Sequence, residues 1–188
     1  MSSVAEERLS PEEYLRRERA AETKSEYDDG FVYAMSGASR RHNVIVSALV
    51  AALVHRLRPR CEVYPSDMRV RISKPSRYYY PDVSVVCGEP QFADNEFDNL
   101  LNPLIVFEVL SESTMPRDRG RKFLSYQAIN SLQEYVLVSQ DEYLVEHYRR
   151  HEGQWLYTAE QGLNAALPLP SAGCEIPLRE IYEQVKLA

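Results

Sequence analysis

Long hydrophobic stretches are missing from this chain. No apolar run approaches the roughly 20 residues that a membrane-spanning helix needs. The segment up to Arg19 is charged and lacks the apolar centre of a signal peptide. Both absences point to a soluble, cytoplasmic protein with no membrane partner. Cysteine is scarce: Cys61, Cys87 and Cys174 are widely spaced and form no C-x-x-C. An odd number at such spacing argues against a disulfide framework and against a zinc knuckle, and Cys87 reads as a small core residue. Positive charge is in deficit, with 22 Lys and Arg against 28 Asp and Glu, a net charge of −6. That balance disfavours a nonspecific nucleic-acid binder, which is usually basic. The sequence also has no Ser-His-Asp order, no P-loop and no G-x-G-x-x-G.

What is present is an ordinary globular composition, 44% hydrophobic and 27% charged over 188 residues. It is enough for one domain with a real core. The positive residues gather in groups: Arg40-Arg41, Arg56/Arg58/Arg60, Arg69/Arg71/Lys74/Arg77 and Arg117/Arg119/Arg121/Lys122. Taken one by one, they read as solvated surface charge.

Ser10-Pro11-Glu12-Glu13 predicts a helix over about 10–22, with Ser10 as N-cap and Pro11 at the first helical position. Asp28-Asp29-Gly30 predicts the turn of a hairpin whose second strand is 31–35. Val46, Leu49, Val50, Leu53, Val54 and Leu57 recur at helical spacing and predict a helix over 42–57, ended by Pro59. Strands are expected over 62–72 with an interruption near Pro65, and then over 79–87, 104–110, 134–139, 143–150 and 154–158. A loop with a short helical turn is expected over 88–102, and a helix over 118–129. The tail, 162–188, should pack on the core and end in a short helix. The expected fold is α/β (α+β), built around one mixed sheet flanked by helices, with 1–188 as a single domain.

Two carboxylates sit in runs that otherwise read as buried strand. Asp82 opens Val83-Ser84-Val85-Val86, and Glu108 lies within Leu104-Ile105-Val106-Phe107-Glu108-Val109-Leu110. A buried carboxylate is costly unless it is paired or binds a cation. On neighbouring strands the two could share one hard cation, Mg²⁺ or Mn²⁺, with the Val109 carbonyl as a further oxygen. The plain alternative makes Pro81-Asp82 a strand-opening turn and Glu108 an edge-strand charge. Lys122 is the candidate cationic group. One helix phase buries Phe123, Leu124 and Ala128 and turns Lys122 outward; the preferred one buries Phe123, Tyr126 and Ile129 with Lys122 beside them. Glu26 reads on its own as a surface charge, and His42, at a helix start, could touch phosphate.

These residues resemble the PD-(D/E)xK nuclease superfamily. More closely, Glu26-Tyr27-Asp28-Asp29-Gly30, Tyr80-Pro81-Asp82-Val83-Ser84-Val85-Val86, Glu108-Val109-Leu110-Ser111-Glu112-Ser113-Thr114 and Asp118-Arg119-Gly120-Arg121-Lys122 resemble the Uma-type restriction-endonuclease family. The resemblance implies a restriction-endonuclease-like fold. It implies a metal held by Asp82 and Glu108, with Glu26 contributing from a preceding helical element. It also implies hydrolysis of DNA phosphodiester bonds by a metal-activated water in a homodimer. The superfamily pattern asks for lysine where this chain has Leu110, and the family's resolution, a lysine on the next helix, points to Lys122. The competing readings are a catalytically weak nucleic-acid-binding or assembly protein and a metal-dependent phosphohydrolase of small substrates. For the dimer, Tyr143, Tyr148, Trp155 and Tyr157 are the expected aromatic interface.

Overall fold

The computed structural model describes residues 8–74, 76–111 and 115–187. Of the Ser111-Glu112-Ser113-Thr114 motif, the last three residues lie outside the described residues. Helix α1 (Pro11–Glu18) starts as expected. The Ser10 hydroxyl accepts from the Glu13 amide at 3.2 Å, a cap worth about 1 kcal/mol. The helix ends earlier than 22, with Arg19 at its C-cap. Strands β1 (Ser25–Asp28) and β2 (Phe31–Ala34) form the hairpin. Its two turn residues, Asp29 and Gly30, have φ of 49° and 100°, as a tight two-residue hairpin turn requires.

Helix α2 (Arg40–Leu57) buries Ile45, Leu49, Ala52, Leu53 and Leu57. Val46 and Val50 only flank the core, so the stripe is rotated from the sequence expectation. The run 62–72 divides into β3 (Cys61–Pro65) and β4 (Arg69–Ile72), which belong to different sheets. The expected strand 79–87 divides in the same way, into β5 (Arg77–Tyr79) and β6 (Val83–Cys87). Pro81 cannot donate to a ladder, and the chain leaves one sheet at Tyr80 and enters the other at Val83. Asp82 therefore sits in the crossing between sheets and not within a strand. Within 88–102 a single turn forms, where the Phe97 amide donates to the Asp94 carbonyl at 3.4 Å, and β7 (Asn99–Leu100) pairs in parallel with β4.

After β8 (Ile105–Leu110) comes one helical stretch in three pieces: α3 (Met115–Arg117), a π-helical turn (Asp118–Lys122) and α4 (Phe123–Tyr126). Strands β9 (Glu134–Ser139), β10 (Leu144–His151) and β11 (Gln154–Gln161) follow. The tail adds a hairpin that the sequence reading did not foresee, β12 (Ala166–Leu169) with β13 (Cys174–Pro177), before α5 (Leu178–Tyr182).

The single mixed sheet of the sequence reading becomes two larger sheets and this small hairpin. One has the order β2-β1-β5-β4-β7 and the other β11-β10-β9-β8-β6-β3, with β8 and β9 parallel. Strand β8 is buried on both faces. Ile105, Phe107 and Val109 pack toward α2 and the tail. Val106 and Leu110 pack the other way, against Tyr126, Ile129 and the five-stranded sheet. Glu108 shares that second face by strand alternation.

One further expectation is corrected. Cys61 and Cys87 face each other in the β3–β6 register and form a disulfide. Spacing along the chain cannot reveal a cross-strand pair, because the register creates it. The aromatic side chains expected at a surface are largely occupied: Tyr148 and Trp155 pack on Phe123, and Tyr143 on Tyr182. Tyr157 remains 54% exposed.

Candidate active site

The site forms where β8, the Tyr80–Val83 crossing, the β1–β2 hairpin and the 115–126 helical stretch meet. Val83 stands opposite Phe107 in the antiparallel register. One step back brings Asp82 level with Glu108. The Asp82 Oδ2 accepts from the Val109 amide at 2.7 Å and lies 3.1 Å from His42 Nε2. A β residue presents its N–H and C=O to the same edge of the strand, so the Val109 carbonyl faces the Asp82 side as well.

Glu108 is 4% exposed. Its Oε1 receives the Lys122 ammonium at 3.0 Å and the Tyr126 hydroxyl at 3.3 Å. Burial pushes the Glu108 carboxyl well above its ordinary range; Lys122 pulls it down, and Asp118, Asp82 and Glu26 push it further up. The contribution of Asp82 reflects how near the two carboxylates lie.

Lys122 is 6% exposed and is ringed by acids: Glu26 Oε1 at 2.9 Å, Glu108 Oε1 at 3.0 Å and Asp118 Oδ1 at 3.4 Å. Burial lowers its affinity for the proton, but Glu108, Glu26 and Asp118 reverse that and hold its pKa well above the usual lysine value. Of the two helix phases, the structure has the one with Tyr126 and Ile129 buried and Leu124 at 68% exposure.

Glu26 lies on strand β1, not on a helix, and is buried rather than a surface charge. Its Oε1 accepts from the Tyr80 amide at 3.2 Å, and Arg117 Nη1 lies 2.7 Å from its Oε2. The structure thus brings Glu26, Glu108 and Lys122 into direct contact, with Asp82 at the adjoining edge. Asp118 escaped the sequence reading, although Asp118, Lys122 and Tyr126 recur every fourth residue and so share one helix face. The basic group at 117–122 is not simply solvated: Arg117 pairs with Glu26, Arg119 with Glu146 at 2.7 Å, and Arg121 with Asp28 at 2.5 Å. Likewise Arg69, read as surface, is buried against Asp98.

Among the described residues no three His, Cys, Asp or Glu side chains form a ready-made metal cage. Both Glu26 and Glu108 hold the Lys122 ammonium, and Glu108 stands level with Asp82 in the strand register. Two carboxylates and a main-chain carbonyl, completed by water and substrate oxygens, suit a hard cation of the Mg²⁺ type. A groove of about 440 Å³ between α2 and α5, lined by Val44, Ser47, Ala51 and Ile181, contains none of these groups.

A crystal structure from Anabaena variabilis, described as a putative nuclease belonging to DUF820, superposes with a TM-score of 0.77 at 19% identity. The match covers 95% of this chain and 99% of that one. It shows the restriction-endonuclease-like fold, mixed sheets flanked by helices. Two Synechocystis relatives carry the names uncharacterized protein sll1609 and uncharacterized protein slr1290. The first is 41% identical over 161 residues, 85% of this chain and 91% of that protein. The second is 38% identical over 177 residues, covering 93% and 92%. Residues 11–179 match the Uma2 family, described as "Putative restriction endonuclease", and span every acid and the lysine of the cluster. This chain belongs to that family.

Proposed function

We propose that this chain is an endonuclease, one restriction-endonuclease-like domain that hydrolyses DNA phosphodiester bonds with Mg²⁺, or Mn²⁺ in its place. The observation that carries the reading is Lys122, a buried ammonium held by Glu26, Asp118 and Glu108, the last level with Asp82 in the strand register. Burying several charges together costs several kcal/mol per ion, in order-of-magnitude terms, unless geometry and chemistry repay it. Packing alone would be served better by apolar side chains of the same volume. Asp82, Glu108 and the Val109 carbonyl would hold the cation, with Glu26 contributing. When bound, the cation supplies a Lewis acid and a water of lowered pKa.

The chain's own residues do the rest. The Val109 amide and His42 fix the Asp82 carboxylate at the edge of the sheet. The Tyr126 hydroxyl fixes Glu108 from behind. Lys122 has no lone pair to give a metal while protonated, but three N–H bonds to offer. It orients the attacking water and stabilises negative charge on the phosphoryl oxygens. Glu26 and Asp118 keep that ammonium charged and in place.

A second reading, a nucleic-acid-binding or assembly protein that cleaves poorly, is favoured by one observation. The net charge is −6, and the arginines nearest the site already have acidic partners. Plasmid DNA separates the two. The parent protein is expected to nick it with Mg²⁺ or Mn²⁺ and to stop when the cation is chelated, while Asp82→Ala loses both cleavage and cation binding. Equal nicking by parent and Asp82→Ala would overturn the metal-site assignment.

We place the activity in the cytoplasm, where DNA is the partner. The assembly we propose is a homodimer joined through β11, the edge strand of the six-stranded sheet, where Leu156 and Tyr157 are exposed. A standard interface would bury about 1,600 Å² in total. Light scattering at micromolar concentration is expected to give twice the chain mass, and Tyr157→Asp to return the monomer.

A further inference from the structure

Arg117 is placed unlike the other cations of its helix. Its Nη1 lies 2.7 Å from Glu26 Oε2. Its guanidinium lies 4.3 Å from the centre of the Tyr33 ring and 5.5 Å from that of Tyr79. Tyr33 stands directly opposite Glu26 in the hairpin register, so both project from the same face. Strand β2 is the free edge of its sheet, and Val32 and Tyr33 are 44% and 37% exposed there. The Nη2 of Arg117 is buried and has no hydrogen-bond partner among the described residues. A buried donor without an acceptor is unfavourable, and a planar guanidinium presents a fork that matches the oxygens of a phosphate.

We propose that Arg117, stacked on Tyr33, is the substrate-phosphate-binding residue at the mouth of the site, and that it trades Glu26 for a phosphate of an incoming single strand of DNA. Tyr33 serves as the platform on which one base of that strand stacks, since an aromatic ring accepts any base face. Without cation or substrate, Arg117 neutralises Glu26. If Glu26 gave a bound cation the Oε2 that Arg117 holds, keeping Oε1 for Lys122, the guanidinium would be released while its stacking on Tyr33 keeps it in position. Arg117 thus competes with the cation for Glu26 and cooperates with it for DNA. The inference rests on the nuclease reading given above.

Opposite signs in two binding measurements test it, with Ca²⁺ as an oxygen-seeking probe cation and a fluorescein-labelled single-stranded DNA oligonucleotide. In calorimetry without DNA, Arg117→Ala is expected to bind Ca²⁺ several-fold more tightly than the parent. In anisotropy at saturating Ca²⁺, the same variant is expected to bind the oligonucleotide about tenfold more weakly. The slope of log K against log salt should then fall by about one. Arg117→Lys keeps the charge but not the fork, so it should weaken oligonucleotide binding with Ca²⁺ affinity near that of the parent. A structural prop would instead lose both affinities together. Weaker Ca²⁺ binding by Arg117→Ala, or parental oligonucleotide affinity in either variant, overturns the proposal. If Arg117→Ala does not fold, Arg117→Lys decides alone. A parent that binds no divalent cation overturns this inference and the nuclease reading together, whereas a parent that binds cation and cuts, with variants behaving as props, overturns this inference only.

Discussion

Lys122→Ala is expected to abolish most cleavage, by about 100- to 1,000-fold, while cation binding survives or tightens. The same change should destabilise the cation-free protein by about 3–5 kcal/mol, because it leaves charged groups buried without their partner. Glu26, Glu108 and Asp118 all lose the ammonium that now lies within 3.4 Å of each. The loss has a pH signature. Burial already holds the Glu108 carboxyl well above its ordinary 4.5, and Lys122 is the group that pulls it back. Without Lys122 that pKa climbs further. A carboxyl raised in the folded state favours folding below its unfolded pKa and loses that benefit as pH rises through the folded one. The variant should therefore unfold most easily at neutral and alkaline pH and come closest to the parent near pH 4. Mg²⁺ offers the acids a replacement charge. At a hundredfold excess over its Kd it should return about 2.7 kcal/mol. Urea titrations across pH, with and without Mg²⁺, check each part. A variant that cuts like the parent would remove Lys122 from the mechanism.

The parts of this site that the sequence exposed are those where a local rule was broken. Glu108 stood out because both neighbours are apolar, and the structure buries all six residues of its strand. Lys122 emerged from a choice between helix phases in which the bulk of Tyr126 and Ile129 outweighed Leu124. The π-helical turn at Asp118–Lys122 could not be foreseen, and it carries both Asp118 and Lys122 into the interior. Glu26 is the opposite case. Its neighbours in sequence are polar, and it is buried only because Tyr80, Lys122 and Arg117 reach it from 54 or more positions away.

The fold divides in the same manner. The β1–β2 hairpin, strand alternation and the Ser10 cap depend on neighbours a few residues apart and were legible. The break at Tyr80-Pro81-Asp82 was not, since an apolar run reads alike whether it stays in one sheet or passes between two. Pro81 was the available signal. The tail hairpin β12–β13 was missed because Pro168, Pro170 and Pro177 argue against strands; yet Pro168 and Pro177 sit within it, in a two-stranded pairing where few ladder bonds are asked of them. The Cys61–Cys87 disulfide and the stacking of Phe123 on Tyr148 and Trp155 are products of register and tertiary packing, which no spacing in the chain encodes.

Asp28→Ala is expected to cost about 3 kcal/mol at pH 7, roughly a hundredfold in the folding equilibrium, although Asp28 touches none of the proposed ligands. The carboxylate is fully buried on β1 and joins three elements. Its Oδ1 accepts from Arg77 Nε at 2.7 Å, and its Oδ2 from the Tyr79 hydroxyl at 3.0 Å, while Arg121 Nε lies 2.5 Å from that same oxygen. Arg77 and Tyr79 belong to β5 and Arg121 to the helical stretch that carries Lys122, so Asp28 anchors that stretch to the hairpin that carries Glu26. Burial alone would raise its pKa. The donors from Arg77, Tyr79 and Arg121 outweigh burial and hold the carboxyl below its ordinary 3.8. A carboxyl lowered in the folded state adds stability above its unfolded pKa, and that stability disappears as pH falls through the folded value. The difference between parent and variant should therefore be full at pH 5–8 and shrink below about pH 4. Asp28→Asn keeps the shape and loses the charge, so it should fall between the two at pH 7 and show a flatter acid limb than the parent. Urea midpoints at pH 7 and pH 3 measure this directly. Identical midpoints for parent and Asp28→Ala at pH 7 would show that the three-way anchor contributes nothing, and that Glu26 and Lys122 are aligned by packing alone.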